Sequence, residues 1–310
     1  CMEIRQLRYF IAAVEAGNLR RAAENIHISH PALSMSLKNL EKDLGVTLLD
    51  RSRRGVRMTF AGEQFLKSAH SLLRQIDDLR ASLLGDVGSP SGNVRLGLPY
   101  GLNAALATYL FTSLTERYPG INLEIEEGNS TSLEHLFDNE MLHLMINYDY
   151  VEKMDQKCEQ LYVEQLFLVS AYDSVLDSGE EIELKDLGET PIVCSPGTNS
   201  MRTTLDKYAF DNKLRFNFLS DFQSAHASIK IAEAGLAKTI SPWDDIYSHV
   251  ANKRITARKI VNPSVERKVC LISSLRSAPS FATTAIVGVI KEAIDDARRE
   301  DKLRGEPVLN

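Results

Sequence analysis

The sequence is short of every feature that would mark a membrane, secreted or catalytic protein. Its 310 residues contain no apolar run near the roughly 18 residues that span a bilayer, so no membrane-spanning helix is expected. The start, Cys1-Met2-Glu3-Ile4-Arg5, lacks a basic stretch followed by an apolar one, which argues against a secretory signal and for a cytoplasmic setting. The four cysteines, Cys1, Cys158, Cys194 and Cys270, are too scattered for a CxxC pair and too few for a disulfide scaffold. Reduced thiols, partly buried in cores, are expected, with a redox pair as the alternative. No GxSxG, Walker A or HExxH spacing occurs, and the seven histidines pair with no Ser or Cys in a motif that carries mechanism. His27 and His30 are three apart, but a turn separates them and no Cys or carboxylate completes a tetrahedral set. Neither an enzyme nor a cofactor or metal is expected.

What the chain does have is length for two or three domains and an uneven charge. Residues 1 to 60 carry ten Lys/Arg against six acids, so the rest of a chain of net charge -6 is more acidic than the whole. A basic end on an acidic body suits binding of a polyanion through that end.

In that basic end, Ile4, Leu7, Phe10, Ile11 and Val14 follow the 3.6-residue period up to Gly17. Asn18 then caps a short helix with the stripe Leu19, Ala22, Ala23 and Ile26, and Ser29 caps a third with Pro31 in its first turn. The third helix buries Leu33, Leu37, Leu40 and Leu44 and presents His30, Ser34, Met35, Lys38 and Lys42 on its other face. Two helices joined by a tight turn, the second slim and polar at its start, make a helix-turn-helix, although generic three-helix packing shares that spacing. Residues 48 to 58 then read as a hairpin holding out Arg51, Arg53 and Arg54, which suits a nearby phosphate backbone. Thr59 caps a long helix whose Phe65, Ala69, Leu72, Ile76, Leu79 and Leu83 form an a/d seam, for pairing with a second chain or for packing on its own body. A Gly/Ser-rich hinge follows at residues 85 to 93, after which strand-like runs and amphipathic helices alternate to the end.

Leu7-Arg8-Tyr9-Phe10, Ala22-Ala23, Ser29-His30-Pro31-Ala32-Leu33-Ser34, Leu40-Glu41, Leu44-Gly45-Val46, Leu49-Asp50-Arg51 and Thr59-Phe60-Ala61-Gly62 resemble the N-terminal domain of LysR-type transcriptional regulators over about 65 ungapped residues. The resemblance implies an α plus α/β protein. A winged helix-turn-helix (1–60) is followed by a linker and dimerisation helix with its hinge (61–93). A two-lobed, periplasmic-binding-protein-like α/β effector domain (94–310) completes it, with lobe I near 94–163 and 267–310 and lobe II near 164–266. It implies a homodimer or homotetramer on double-stranded promoter DNA, with RNA polymerase as a further partner and a small molecule as effector. Ser29, His30, Pro31, Ser34, Met35 and Lys38 would approach DNA from the recognition helix, with Arg51, Arg53 and Arg54 in the wing. Many members have Gln where this chain has His30 and a basic residue where it has Met35, which offers a base only apolar contact.

Such α/β domains bind ligands at the carboxyl ends of strands. Three loops are placed for this: Pro99-Tyr100-Gly101, Asn129-Ser130-Thr131 and Ser195 to Ser200, which supply Pro99, Tyr100, Gly101, Ser130, Thr131, Thr198 and Asn199 as candidates, with Phe222 beside them. Polar loops at helix N-termini favour a carboxylate or other anion. By resemblance, Gly101 stands where many members place an effector-touching Ser or Thr, and His143 where the family usually has Asp. The rival from another class is a solute-binding or enzymatic α/β protein dimerised by its N-terminal helices.

Overall fold

The computed structural model describes residues 2–52, 55–84, 90–172, 179–197, 199–276 and 278–307, and side chains are described for these except at 78 and 80–84. The chain forms two compact units, Cys1–Asp86 with Leu136–Met141, and Val87–His135 with Leu142–Asn310.

The first unit opens with helices α1 (Ile4–Ala16), α2 (Leu19–Asn25) and α3 (His30–Leu44). Their ends are set by local chemistry. A Glu3/Gln6 capping box starts α1, and Gly17, in the left-handed region at φ 62°, ends it. The Asn18 side chain accepts from the Arg20 and Arg21 amides to start α2, and Ser29 Oγ accepts from Ala32 N to start α3. Phe10, Ala13, Ala22, Ala23, Leu33, Leu37 and Leu40 bury the shared core, with Phe65 edge-on to Phe10 at 5.0 Å. Leu44, the expected last member of the α3 stripe, is exposed instead. Strands β1 (Leu49–Ser52) and β2 (Gly55–Met58) form an antiparallel hairpin that docks on the end of α1, where Val56 N donates to Gly17 O at 2.9 Å. Helix α4 (Phe60–Leu84) follows, with Thr59 Oγ1 accepting from Gly62 N as its cap. Of the anticipated seam, Ala69 is buried and Phe65 packs on the head core, while Leu72 and Leu79 are exposed; the Leu83 side chain lies outside the described residues.

The second unit begins β3 (Gly92–Pro99), α5 (Tyr100–Arg117), β4 (Ile121–Gly128), α6 (Ser130–Asp138), β5 (Leu144–Tyr148). It continues through β6 (Gln156–Ala171), β7 (Glu181–Glu183), β8 (Pro191–Cys194), α7 (Ser200–Asp211), β9 (Asn217–Asp221) and α8 (Ala225–Glu233). It closes with β10 (Thr239–Pro242), α9 (Trp243–Ala251), β11 (Ile255–Val261), β12 (Glu266–Ser274), α10 (Phe281–Arg299) and β13 (Gly305–Pro307). The main path of its large sheet runs β4-β3-β5-β12-β6-β11-β7, with β10 and β13 also on β6, while β8 and β9 pair separately in parallel.

Strand β6 is the spine. Its first part pairs with β12 up to Gln165, and its second part, from Leu166, pairs with β10 and β11. One strand therefore belongs to both lobes, and β12 lies beside it as the second crossing strand. Alternation along β6 feeds two cores at once: Leu166 and Leu168 join Leu184, Ile192, Leu205 and Ile260, whereas Phe167 and Val169 join Ile229, Trp243, Ile246 and Ile255. In the other lobe, α5 and α10 cover β3 and β5 through Leu102, Leu106, Leu110, Ile286, Val289 and Ile290.

Short α9, β7, β11 and β13 are not announced by the alternating apolar pattern, and α10 is the last helix. The helix stops at Arg299 because Asp301 turns left-handed at φ 54°, without a glycine to announce it, and buries Leu303.

Candidate functional sites

Two sites stand out, one in each unit. In the head, the third helix presents Ser29, His30, Pro31, Met35 and Lys38 to solvent, with Met35 the most exposed large apolar side chain on it. Behind that face lies a clamp. Glu41 Oε1 accepts from Leu48 N at 2.9 Å and Leu49 N at 3.0 Å, and Glu41 Oε2 pairs with Arg51 Nη2 at 2.9 Å. Arg51 Nη1 also donates to Ser34 Oγ at 3.2 Å. The Arg51 side chain is thus tied back to α3 rather than held out at the wing tip as anticipated, because a buried-side carboxylate and a hydroxyl use its fork. It fixes the hairpin and orients Ser34. Arg53 and Arg54 lie outside the described residues.

In the second unit a cavity of about 720 Å³ opens where strand ends meet helix starts. Residues from the starts of five helices converge on it: Tyr100 of α5, Ser130 of α6, Ser200 of α7, Ala225 of α8 and Asp244 of α9. The convergence follows from connectivity, since β3, β4, β8, β9 and β10 all run toward it and each turns into a helix there. Ser130 Oγ donates to Ser200 Oγ at 2.9 Å, which joins a loop of one lobe to a loop of the other. Asn199 and Ser224 cap α7 and α8 by accepting from Met201 N and Ala227 N.

The floor is charged. Arg267, on β12, donates from Nε to Glu164 Oε1 of β6 at 2.6 Å, and its guanidinium lies over the Tyr148 ring at 3.8 Å. Both members of the pair are about 3% exposed. Burial pushes the Glu164 carboxyl up, and Arg267 pulls it back. Beside them, Asp244 and Asp245 occupy the first turn of α9. Asp244 is buried, and neither carboxylate oxygen finds a hydrogen-bond partner on another described residue. Burial, then Asp245 and Glu164, push its carboxyl well above the usual carboxylate range. Burial likewise pushes half-buried Asp245 up to about 6, against the pull of Arg267. Trp243 holds this turn in place. Its Nε1 donates to Asp301 O at 2.7 Å, and its ring packs between Phe167 and the Arg304 guanidinium.

Of the residues anticipated from the loops, Pro99, Tyr100, Gly101, Ser130 and Asn199 line the cavity. Thr131 and Phe222 do not. Thr131 is exposed one position past the buried Ser130, and past Phe222, whose N donates to Cys194 O, it is Gln223 and Ser224 that stand in the wall. Thr198 lies outside the described residues. His143 is not in the wall; its Nδ1 accepts from Arg95 N. Sequence reasoning missed Asp244, Asp245 and Arg267. A signal for the first two existed, since Trp243, Ile246 and Val250 have helical spacing directly after Pro242.

Comparison with known proteins covers both units. The model for bacterial regulatory helix-turn-helix proteins of the lysR family matches residues 4–63, and that for the LysR substrate binding domain matches residues 88–295. The nitrogen assimilation regulatory protein nac of Escherichia coli (strain K12) is 24% identical over 302 residues, 97% of this chain and 98% of its own. The HTH-type transcriptional regulator TcbR of Pseudomonas sp. (strain P51) is 49% identical over 94 residues, 29% of this chain and 32% of its own. Among solved structures, full-length OxyR from Pseudomonas aeruginosa is similar with a TM-score of 0.74 at 22% identity, over 95% of this chain and 98% of that one. Full-length CbnR complexed with its target DNA gives 0.64 at 24% identity, over 96% and 100%. At such identities the solved structures bear on the fold.

Proposed function

Because the chain belongs to the LysR family, whose members are DNA-binding transcriptional regulators with an effector-binding domain, we propose that it reads promoter DNA as a homodimer or homotetramer in the cytoplasm, in concert with RNA polymerase, and that a small molecule in the cleft tunes it. The observation that carries the reading is the α3 face: a capped helix whose solvent side is slim and polar and whose flank is braced by the Glu41–Arg51 clamp. A helix of this kind fits a major groove, with Ser29, His30, Pro31, Ser34, Met35 and Lys38 nearest the bases and Arg51 acting through Ser34. Arg53 and Arg54, with Arg57, supply phosphate contacts from the hairpin, and Arg20 and Arg21 in the first turn of α2 supply others. Helix α4, with Leu72 and Leu79 uncovered on a single chain, supplies the pairing surface.

Selection of genomic fragments by the purified full-length chain tests this. Fragments upstream of genes should be retained, with affinity falling steeply as salt rises. Retention of none at low salt refutes it.

A further inference from the structure

Helix N-termini alone favour an anion in the cleft, but the side chains there do not. Arg267 is the single Arg or Lys among the described lining residues, and its fork is engaged by Glu164. The acids are not so engaged. Asp244 is 4% exposed, borders the cavity, and has two acceptor oxygens without a partner on another described residue. Burying a carboxylate in this way costs far more than a neutral group unless donors complete it. The groups facing Asp244 do not complete it: Glu164 of β6 repels it, the hydroxyl of Tyr148 on β5 and the imidazole of His226 on α8 make no hydrogen bond to it, and Arg267 of β12 attracts both acids but gives its hydrogen bond to Glu164.

Gly101 supports the same reading. A Cβ built there would overlap Asp245 Oδ1 and lie 3.1 Å from Asp244 Oδ2, so the glycine at the start of α5 makes room for both carboxylates.

We propose that the cleft takes an effector bearing a protonated nitrogen, an ammonium, amidinium or guanidinium, seated on Asp244 and Asp245 between Gly101 and the Glu164–Arg267 pair. The inference rests on the cleft being the effector site. A cation supplies donors to the Asp244 oxygens, and its charge favours the ionised form of the Asp244 carboxyl that burial and its acidic neighbours otherwise hold protonated. The exposed ring of Tyr100 in the wall suits the same charge. A carboxylate elsewhere on the molecule is compatible with the starts of α6, α7 and α8.

The test uses the full-length chain with ethylammonium and methylguanidinium as probes, acetate and benzoate as nitrogen-free counterparts, and sodium chloride as the ionic control. Trp243, the single tryptophan and the residue before Asp244, reports site binding through its emission, alongside thermal melts. At a tenfold excess over Kd, the cationic probes should raise Tm by roughly 4 °C and change Trp243 emission. Asp244→Asn should keep the fold and lose at least about tenfold in cation affinity, because removing one partner of a buried charge pair is costly. Gly101→Ser, which displaces Asp245 without changing charge, should weaken cation binding as well. Equal cation binding by wild type and Asp244→Asn, or shifts with acetate and benzoate alone, would overturn the proposal while leaving the cleft as the effector site. Silence from all four probes would count against both.

Discussion

The acid pair makes a stability prediction that needs no ligand. In Asp245→Asn the carboxyl that titrates at about 6 in the folded chain, against an ordinary 3.8, is removed. A raised carboxyl in the folded state means that the folded chain holds its proton more tightly than the unfolded one. Its favourable contribution is complete below the ordinary value and disappears as pH climbs through about 6, so wild type carries a penalty at neutral pH. At about 1.4 kcal/mol per pH unit the interval sets a ceiling of about 3 kcal/mol, and screening at the half-buried Asp245 reduces it to about 1 to 2 kcal/mol. Asparagine fits the same space and does not ionise. About half of the interval lies above pH 5, so the variant should gain on wild type between pH 5 and pH 8 by about 0.5 to 1 kcal/mol, or about 1.5 to 3 °C in Tm for a unit of this size. Urea melts followed by Trp243 emission at both pH values measure it, since Trp243 sits in the same helical turn. A difference between variant and wild type that is the same at pH 5 and pH 8 would refute the reasoning, whatever its sign.

Other perturbations follow from the head and the spine. Arg51→Ala strips partners from Glu41 and Ser34 and should cost about 1 to 3 kcal/mol of head stability while weakening binding to every DNA sequence; melts and gel-shift titrations check it. Met35→Arg, on the exposed face of α3, should leave stability within about 0.5 kcal/mol and change which sequence is preferred in a fragment selection. Leu72→Glu with Leu79→Glu places charge on the uncovered stripe of α4 and should lower the mass measured by light scattering toward a single chain, without lowering helix content by circular dichroism.

The head was legible because its instructions are local. Gly17 and Gly45 adopt the left-handed geometry that stops a helix, Asn18 and Ser29 cap within three residues, and the apolar period repeats in between. The second unit was legible only where patterns were long. The start of β6 at Gln156 carries no apolar run, since Lys157, Glu159 and Gln160 are polar, and pairing along β12 makes them strand. Helix α9 has nine residues and begins straight after a strand, so its apolar period is brief. Arg51 was misplaced for a related reason: charge alone put it with Arg53 and Arg54, whereas Glu41, ten residues earlier, draws it back to α3.

The cleft divides the same way. Its loops could be found, because strand ends followed by polar helix starts are written along the chain, but its charge could not. Two adjacent acids in the first turn of a helix normally sit in water and favour the dipole. Here the fold brings Asp244 near Glu164 and Arg267, residues far from it along the chain and from two different strands, and leaves it only 4% exposed. Gly101 then changes meaning. By resemblance it stands where many members place a Ser or Thr, whereas in three dimensions a Cβ there would overlap the Asp245 carboxylate. The two positions are therefore one feature: a side chain at Gly101 obliges the Asp245 carboxylate to move, so the effects of Gly101→Ser and Asp245→Ala on the melting temperature should not add.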